Sequence, residues 1–171
     1  MRYIHYYESP IGQILLTADE QGLTGLLLQG EDWSLAKSHQ ECITPALKSA
    51  VSWLDIYFSG NIPDFVPPLR LQGSPFQLEV WELLLKIPYG EVITYGDLAK
   101  HIAKNRGIKR MSAQAVGGAV GSNPVSIIVP CHRVIGANGN LTGYASGLDN
   151  KIALLKQEGF DMNQFHIPPG K

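Results

Sequence analysis

Over the first 30 residues, apolar and polar positions alternate in short runs separated by turn residues. Tyr3-Ile4-His5-Tyr6-Tyr7 is rich in β-formers and ends at Ser9-Pro10. Gly12-Gln13-Ile14-Leu15-Leu16-Thr17-Ala18 follows, Asp19-Glu20-Gln21-Gly22 is a turn, and Leu23-Thr24-Gly25-Leu26-Leu27-Leu28 is a third run. This spacing predicts a three-stranded antiparallel meander. Its aromatics and His5 read as packing residues. Residues 31–43 are polar and predict an irregular or loosely helical stretch. The period then changes. Thr44-Pro45 supplies an N-cap and a first-turn proline, and Leu47, Val51, Leu54 and Phe58 recur at helical spacing up to Gly60. Trp53 and Tyr57 widen that stripe, which should lie on the meander.

Residues 61–72 carry Pro63, Pro67 and Pro68 and read as a linker, with a boundary near Gln72. Beyond it, Ser74-Pro75-Phe76-Gln77 is a capping box opening a helix with an apolar stripe of Leu78, Trp81, Leu84 and Leu85. The helix should end before Pro88, and Tyr89-Gly90-Glu91 reads as a turn. Thr94-Tyr95-Gly96-Asp97 caps the next helix, 94–104. After Asn105-Arg106-Gly107 a second helix runs from about Ser112 to Gly121, which makes a helix-turn-helix. Ala113, Ala115, Gly117, Gly118, Ala119 and Gly121 leave that helix thin. An interior glycine costs about 1 kcal/mol against alanine, so a thin helix implies close approach by another surface, either a neighbouring helix or a nucleic-acid groove. Ile127-Ile128-Val129 predicts a buried extended segment halted by Pro130. Asn138-Gly139 signals a hairpin. Ser146-Gly147-Leu148-Asp149 offers an N-cap for a last helix bearing Ile152, Leu155 and Glu158 and stopped by Gly159. The fold class is therefore α/β (α+β), with domains at 1–72 and 73–160 and a loose tail at 161–171.

Composition adds bounds. The chain has 171 residues, 44% hydrophobic and 17% charged, as in ordinary globular proteins. No apolar run approaches membrane-spanning length, and Arg2 followed by polar and aromatic residues is not a signal peptide. Two cysteines, Cys42 and Cys131, make no disulfide framework, and a free thiol suits a cytoplasmic setting. No Cys/His cluster has zinc spacing, so neither a metal nor a cofactor is expected. Net charge is −1 but unevenly spread. Residues 98–148 contain Lys100, Lys104, Arg106, Lys109, Arg110 and Arg133 and no acid, a charge of +6, whereas residues 1–97 carry −7. A basic stretch within an acidic chain is the footprint of a surface facing phosphates, or else a solvated helix-turn-helix face.

Cys131 stands in Pro130-Cys131-His132-Arg133, where an imidazole and a guanidinium can stabilise a thiolate. Without those neighbours a buried structural cysteine would be the default. Cys42 has no acid–base residue at comparable spacing and reads as a bystander.

The run from Asn123 to Ile135, NPVSIIVPCHRVI, closely resembles the active-site segment of the O6-alkylguanine-DNA alkyltransferases. The resemblance spans about Gly73 to Gly159 and includes Pro88-Tyr89-Gly90-Glu91, Thr94-Tyr95-Gly96, Ala115-Val116-Gly117-Gly118-Ala119 and Leu141-Thr142-Gly143-Tyr144. It implies an RNase H-like N-terminal module and a winged-helix-like, helix-turn-helix DNA-binding domain. It further implies suicidal transfer of an alkyl group from O6-alkylguanine in double-stranded DNA to Cys131 by a monomer. His132 would act through a bridging water, Glu158 would orient the imidazole, and Asn123 would brace the turn. Tyr95 would face the flipped guanine, with backbone carbonyls of Cys131 and Val134 and an N–H near Ala145 reading its edge. Thr94, Arg133, Tyr144 and Ser146 would join the base- and DNA-contacting set. Ala115, Gly117 and Gly118 would enter the minor groove. Three positions depart from the family. Gln114 stands where an arginine usually enters the base stack, so Arg110 or Met111 is an alternative wedge. Ser146 replaces a glycine, and Ser126 replaces a frequent proline. Two other functions fit parts of the pattern: a non-catalytic alkylated-DNA lesion-binding protein, and a Cys-His-Glu hydrolase.

Overall fold

The alternating N-terminal runs become β1 (Tyr3–Ser9), β2 (Gly12–Ala18) and β3 (Leu23–Leu27) in the computed structural model, which describes residues 1–142, 144 and 147–167. β1 and β2 pair antiparallel from Tyr3↔Ala18 to Ser9↔Gly12, and β2 pairs antiparallel with β3. The sheet also has a member that the periodicity does not show. β4 (Gln40–Glu41) runs parallel to β1, giving the order β3-β2-β1-β4. It emerges from the stretch expected to be irregular, after a 3-10 turn at Ser34–Ser38. Both of its residues are exposed, so burial leaves no alternation to read. Backbone pairing alone makes the strand, through Gln40 N–H to Arg2 O at 3.0 Å and Cys42 N–H to Ile4 O at 3.1 Å.

Helix α1 (Pro45–Phe58) starts at Thr44, whose hydroxyl accepts from Leu47 N–H. It buries Leu47, Ala50, Trp53, Leu54 and Tyr57 and packs on β1, β2 and β3. The outer edge of β3 is closed by two single-residue bridges. Leu23 N–H donates to Pro68 O at 2.7 Å, and Leu26 N–H donates to Pro124 O at 2.9 Å. The proline-rich stretch is therefore tied to the sheet. Proline cannot donate, but its carbonyl still accepts. The first compact unit comprises Met1–Gln72 together with Pro124–Ile128.

The second unit comprises Gly73–Asn123 and Val129–Lys171. Its helices are α2 (Pro75–Leu84), α3 (Tyr95–Arg106), α4 (Ala113–Gly121) and α5 (Leu148–Gln157). The capping box forms, with Gln77 N–H to Ser74 Oγ at 3.1 Å and Ser74 N–H to Gln77 Oε1 at 2.9 Å. Buried Trp81 donates its Nε1–H to Ala119 O at 2.8 Å, fixing α2 against α4. β5 (Ile93–Thr94) and β6 (Val134–Ile135) form a two-stranded parallel pair. Asn138 and Gly139 turn at positive φ (58° and 76°), but among the described residues no paired strands extend from that turn; Asn140 instead bridges to His166. Among the described residues, no helix is long and apolar enough to cross a membrane.

Candidate active site

The approach to Cys131 is a series of tight turns, not the extended segment that three consecutive apolar residues predict. Ile127 is fully buried at φ 70°, and Ile128 N–H closes onto Ser126 O at 2.8 Å. This is the positive-φ γ-turn, which a β-branched residue adopts only under strain. Pro130 (φ −82°, ψ 65°) forms a second such ring of opposite hand, closed by Cys131 N–H to Val129 O at 2.8 Å. Cys131–Arg133 then makes a 3-10 turn leading into β6. Asn123, buried at the end of α4, donates its amide to Val129 O at 2.8 Å and braces this turn.

Cys131, His132 and Arg133 are all buried. The imidazole of His132 is completely enclosed, and its Nε2 meets Glu158 Oε2 at 2.5 Å. Glu158 arrives from the C-cap of α5, where Gly159 (φ 88°) ends the helix. The same carboxylate accepts from Arg133 Nε at 2.8 Å and Nη2 at 3.1 Å. Arg133 Nη1 donates to Ile87 O at 2.7 Å. Burial by itself would raise the Glu158 pKa; the hydrogen bond of His132, its charge once protonated at acid pH, and the hydrogen bond and charge of Arg133 outweigh it and hold the group at about 2. His132 is pushed below the usual imidazole range, first by complete burial, with Arg133 and Lys151 adding to the effect against the pull of Glu158. The imidazole is thus neutral at neutral pH, with Nε2–H facing the carboxylate and Nδ1 carrying the lone pair. That Nδ1 is buried with no hydrogen-bond partner among the described residues.

The β5–β6 pair brings Thr94 and Tyr95 beside the cysteine segment, since Ile93 pairs with Val134 and Thr94 with Ile135. Thr94 Oγ1 caps α3 by accepting from Asp97 N–H at 3.0 Å. The Tyr95 hydroxyl is kept protonated, because burial and then the nearby Cys131 charge raise its pKa, opposed by its hydrogen bond to Thr142. A residue that sequence reasoning passes over also sits here. Lys151 is fully buried and donates Nζ to Val134 O at 2.7 Å and to Thr142 O at 3.4 Å. Burial brings it down to about 8, partly offset by the Cys131 charge. One signal was available. Leu148, Lys151, Ile152 and Leu155 share the helical i, i+3, i+4, i+7 face, so a cation stands in an apolar stripe.

The structure relocates several expected contacts. Arg133, grouped by sequence with the phosphate-facing cations and base contacts, points inward and neutralises Glu158. Val134 is fully buried, and its carbonyl already accepts from Lys151, which leaves one lone pair for another donor. Cys131 and His132 lie on a 3-10 turn, so the opposite-facing geometry of an extended chain does not apply. Gln114, Ala115 and Gly118 are exposed on α4, and Tyr144 is half-buried. Among the described residues, a Cβ placed on Gly118 or Gly121 would meet no atom within 4 Å, so a packed neighbouring helix is not what keeps these positions small. At Gly117 a Cβ would lie 3.8 Å from the Tyr95 ring. Ala145 and Ser146, expected in the pocket rim, and with Ser146 the expected N-cap, lie outside the described residues; α5 starts from Gly147.

Two family models match the chain. The 6-O-methylguanine DNA methyltransferase DNA-binding domain covers residues 75–160, and its ribonuclease-like domain covers residues 2–71. A methylated-DNA–protein-cysteine methyltransferase of Methanosarcina acetivorans is 46% identical over 158 residues, covering 92% of this chain and 98% of that one. One of Mycobacterium bovis is 43% identical over 157 residues, covering 91% and 92%. The crystal structure of Mycobacterium tuberculosis OGT in complex with DNA superposes with a TM-score of 0.78 at 40% identity, covering 95% of this chain and 94% of that one. With matches along nearly its whole length, the chain belongs to the 6-O-methylguanine DNA methyltransferase family.

Proposed function

We infer that this chain repairs DNA by transferring the alkyl group of O6-alkylguanine in a duplex to its own Cys131, once per molecule. The observation that carries this reading is the buried sequence of groups behind the thiol. Glu158 fixes His132 through Nε2, and the remaining ring nitrogen keeps its lone pair and is unpaired among the described residues. A buried polar atom of this kind needs a partner. A water shared between Nδ1 and the Cys131 thiol supplies one and carries the thiol proton to the imidazole.

The thiolate attacks the sp³ carbon on O6. A sulfur–carbon bond forms as the carbon–oxygen bond breaks, and the electron pair moves onto the guanine. Tyr95, protonated and beside Cys131, hydrogen-bonds a ring nitrogen of the departing base. Backbone carbonyls of Cys131 and Val134 accept from the exocyclic amine, and an N–H near Ala145 donates to O6, with Tyr144 and Ser146 at the rim. The thioether product has no good leaving group, so the protein is consumed. The lesion lies inside the stack and must be flipped out. The thin exposed face of α4, with Ala115 and Gly118, fits the minor groove, with Gly117 lying over Tyr95; Gln114 enters the gap left in the stack. The N–H groups at the start of α3, next to Thr94, face phosphate. The protein acts as a monomer in the cytoplasm.

Incubation with duplex carrying O6-[methyl-³H]guanine tests the reading. One label per chain, on the Cys131 peptide, is expected. A lesion sensor takes no label, and a Cys-His-Glu hydrolase releases product repeatedly. Label retained by Cys131→Ser overturns the assigned nucleophile.

A further inference from the structure

We propose that the groove between α3 and the 107–112 loop seats the sugar–phosphate backbone of duplex DNA beside α4, supplying the docking charge that Gln114 lacks; this rests on the alkyltransferase reading above. The six basic residues of the 98–148 stretch occupy different environments. Arg133 is buried against Glu158. Arg106 holds Glu79 Oε1 at 2.6 and 2.9 Å and lies 5.3 Å over the Phe76 ring. The other four, Lys100, Lys104, Lys109 and Arg110, are exposed, and all of them line a single cavity of about 500 Å³. Among the described residues, no Asp or Glu lines it. Lys100 Nζ also lies 3.9 Å from Asp97 Oδ1 in an exposed pair, a geometry that binds weakly.

The chemistry of the lining selects the ligand. Ile108, 45% exposed, and Met111 share the groove with the cations. A small free anion needs no apolar wall, whereas a deoxyribose flanked by phosphates uses both kinds of surface. The groove also reaches Ala113, the first residue of α4, immediately before Gln114. A strand bordering the groove that α4 enters would therefore pass the four cations as it leaves the intercalation point. An uncharged wedge contributes no counterion release, so the salt dependence of binding should come from this cleft.

Each neutralised phosphate contributes about 0.9 to the slope of log K against log salt. Four contacts would account for about 10²-fold of affinity between 50 and 200 mM salt. Fluorescence anisotropy of a labelled duplex across that range measures the slope. Lys109→Ala with Arg110→Ala should lower its magnitude by about 2, and replacing all four by about 3–4. Lys48→Ala, an exposed lysine on α1, controls for net charge and should leave the slope unchanged. An unchanged slope in the four-site variant, with its unfolding transition intact, overturns the proposal. So does an equal fall with Lys48→Ala, or tighter wild-type binding to duplex RNA or anionic vesicles that the four-site change abolishes. Should the four-site variant fail to fold, the double variant in the exposed loop decides alone. Methyl transfer by the wild type is scored separately. Single labelling with an unaltered slope removes only the cleft, and absence of labelling removes the alkyltransferase reading itself.

Discussion

Replacing Glu158 with Gln tests whether one buried carboxylate both holds the second unit together and sets the state of the imidazole. The side chain is 0% exposed and accepts from His132 Nε2, from Arg133 Nε and Nη2, and from Gly90 N–H at 3.4 Å. An amide keeps the shape but removes the charge and turns an NH₂ toward the guanidinium. A buried cation stripped of its partner costs about 3–5 kcal/mol. A second route gives a similar figure. Glu158 falls from 4.5 to about 2 on folding, which corresponds to about 3 kcal/mol. The folded-state value is the depressed one, so this stability is present above pH 4.5 and is lost as pH falls through about 2. Urea unfolding should therefore show Glu158→Gln about 3 kcal/mol less stable at pH 7, with the gap closing toward pH 2. Single-turnover methyl transfer should slow by about 10²–10⁴-fold, because the imidazolium formed as the thiol loses its proton no longer has a carboxylate beside it. Adding Arg133→Met should restore most of the stability and none of the rate. A gap below about 1 kcal/mol, or one that persists unchanged at low pH, refutes the electrostatic account.

Three further outcomes follow from the geometry. Gly118→Ala should stabilise the fold by about 0.5–1 kcal/mol, since the site is open and helical; Gly118→Leu should sharply weaken duplex binding by anisotropy, and undiminished binding would exclude α4 from the groove. Tyr95→Phe should slow transfer by about 10–100-fold, the value of a hydrogen bond to a developing charge, with stopped-flow quench as the measurement. Lys151 is depressed from 10.5 to about 8, so the unfolded chain binds the extra proton between those values and wild-type stability should rise with pH there. Lys151→Met should abolish that rise in urea titrations from pH 8 to 10.5.

Local patterns settled much of this protein without any structure. Alternation drew β1, β2 and β3, and Thr44, Ser74 and Thr94 marked three helix starts because a cap hydroxyl acts on an N–H only three residues away. The Pro130-Cys131-His132-Arg133 motif and its resemblance to a known family named the chemistry. Tertiary structure decided what spacing cannot encode. β4 and the β5–β6 pair are two residues each, too short to carry a period, and exist because distant backbones meet. Three apolar residues predict an extended strand, yet Ile127 takes positive φ because the Ile128 N–H to Ser126 O hydrogen bond closes a turn around it. Charge order along the chain could not tell apart Arg133, turned inward to Glu158, Arg106, tied to Glu79, and the four cations left to one cleft. A side chain's sign is written in the sequence, whereas its partner is chosen by which surfaces the fold brings within hydrogen-bonding distance.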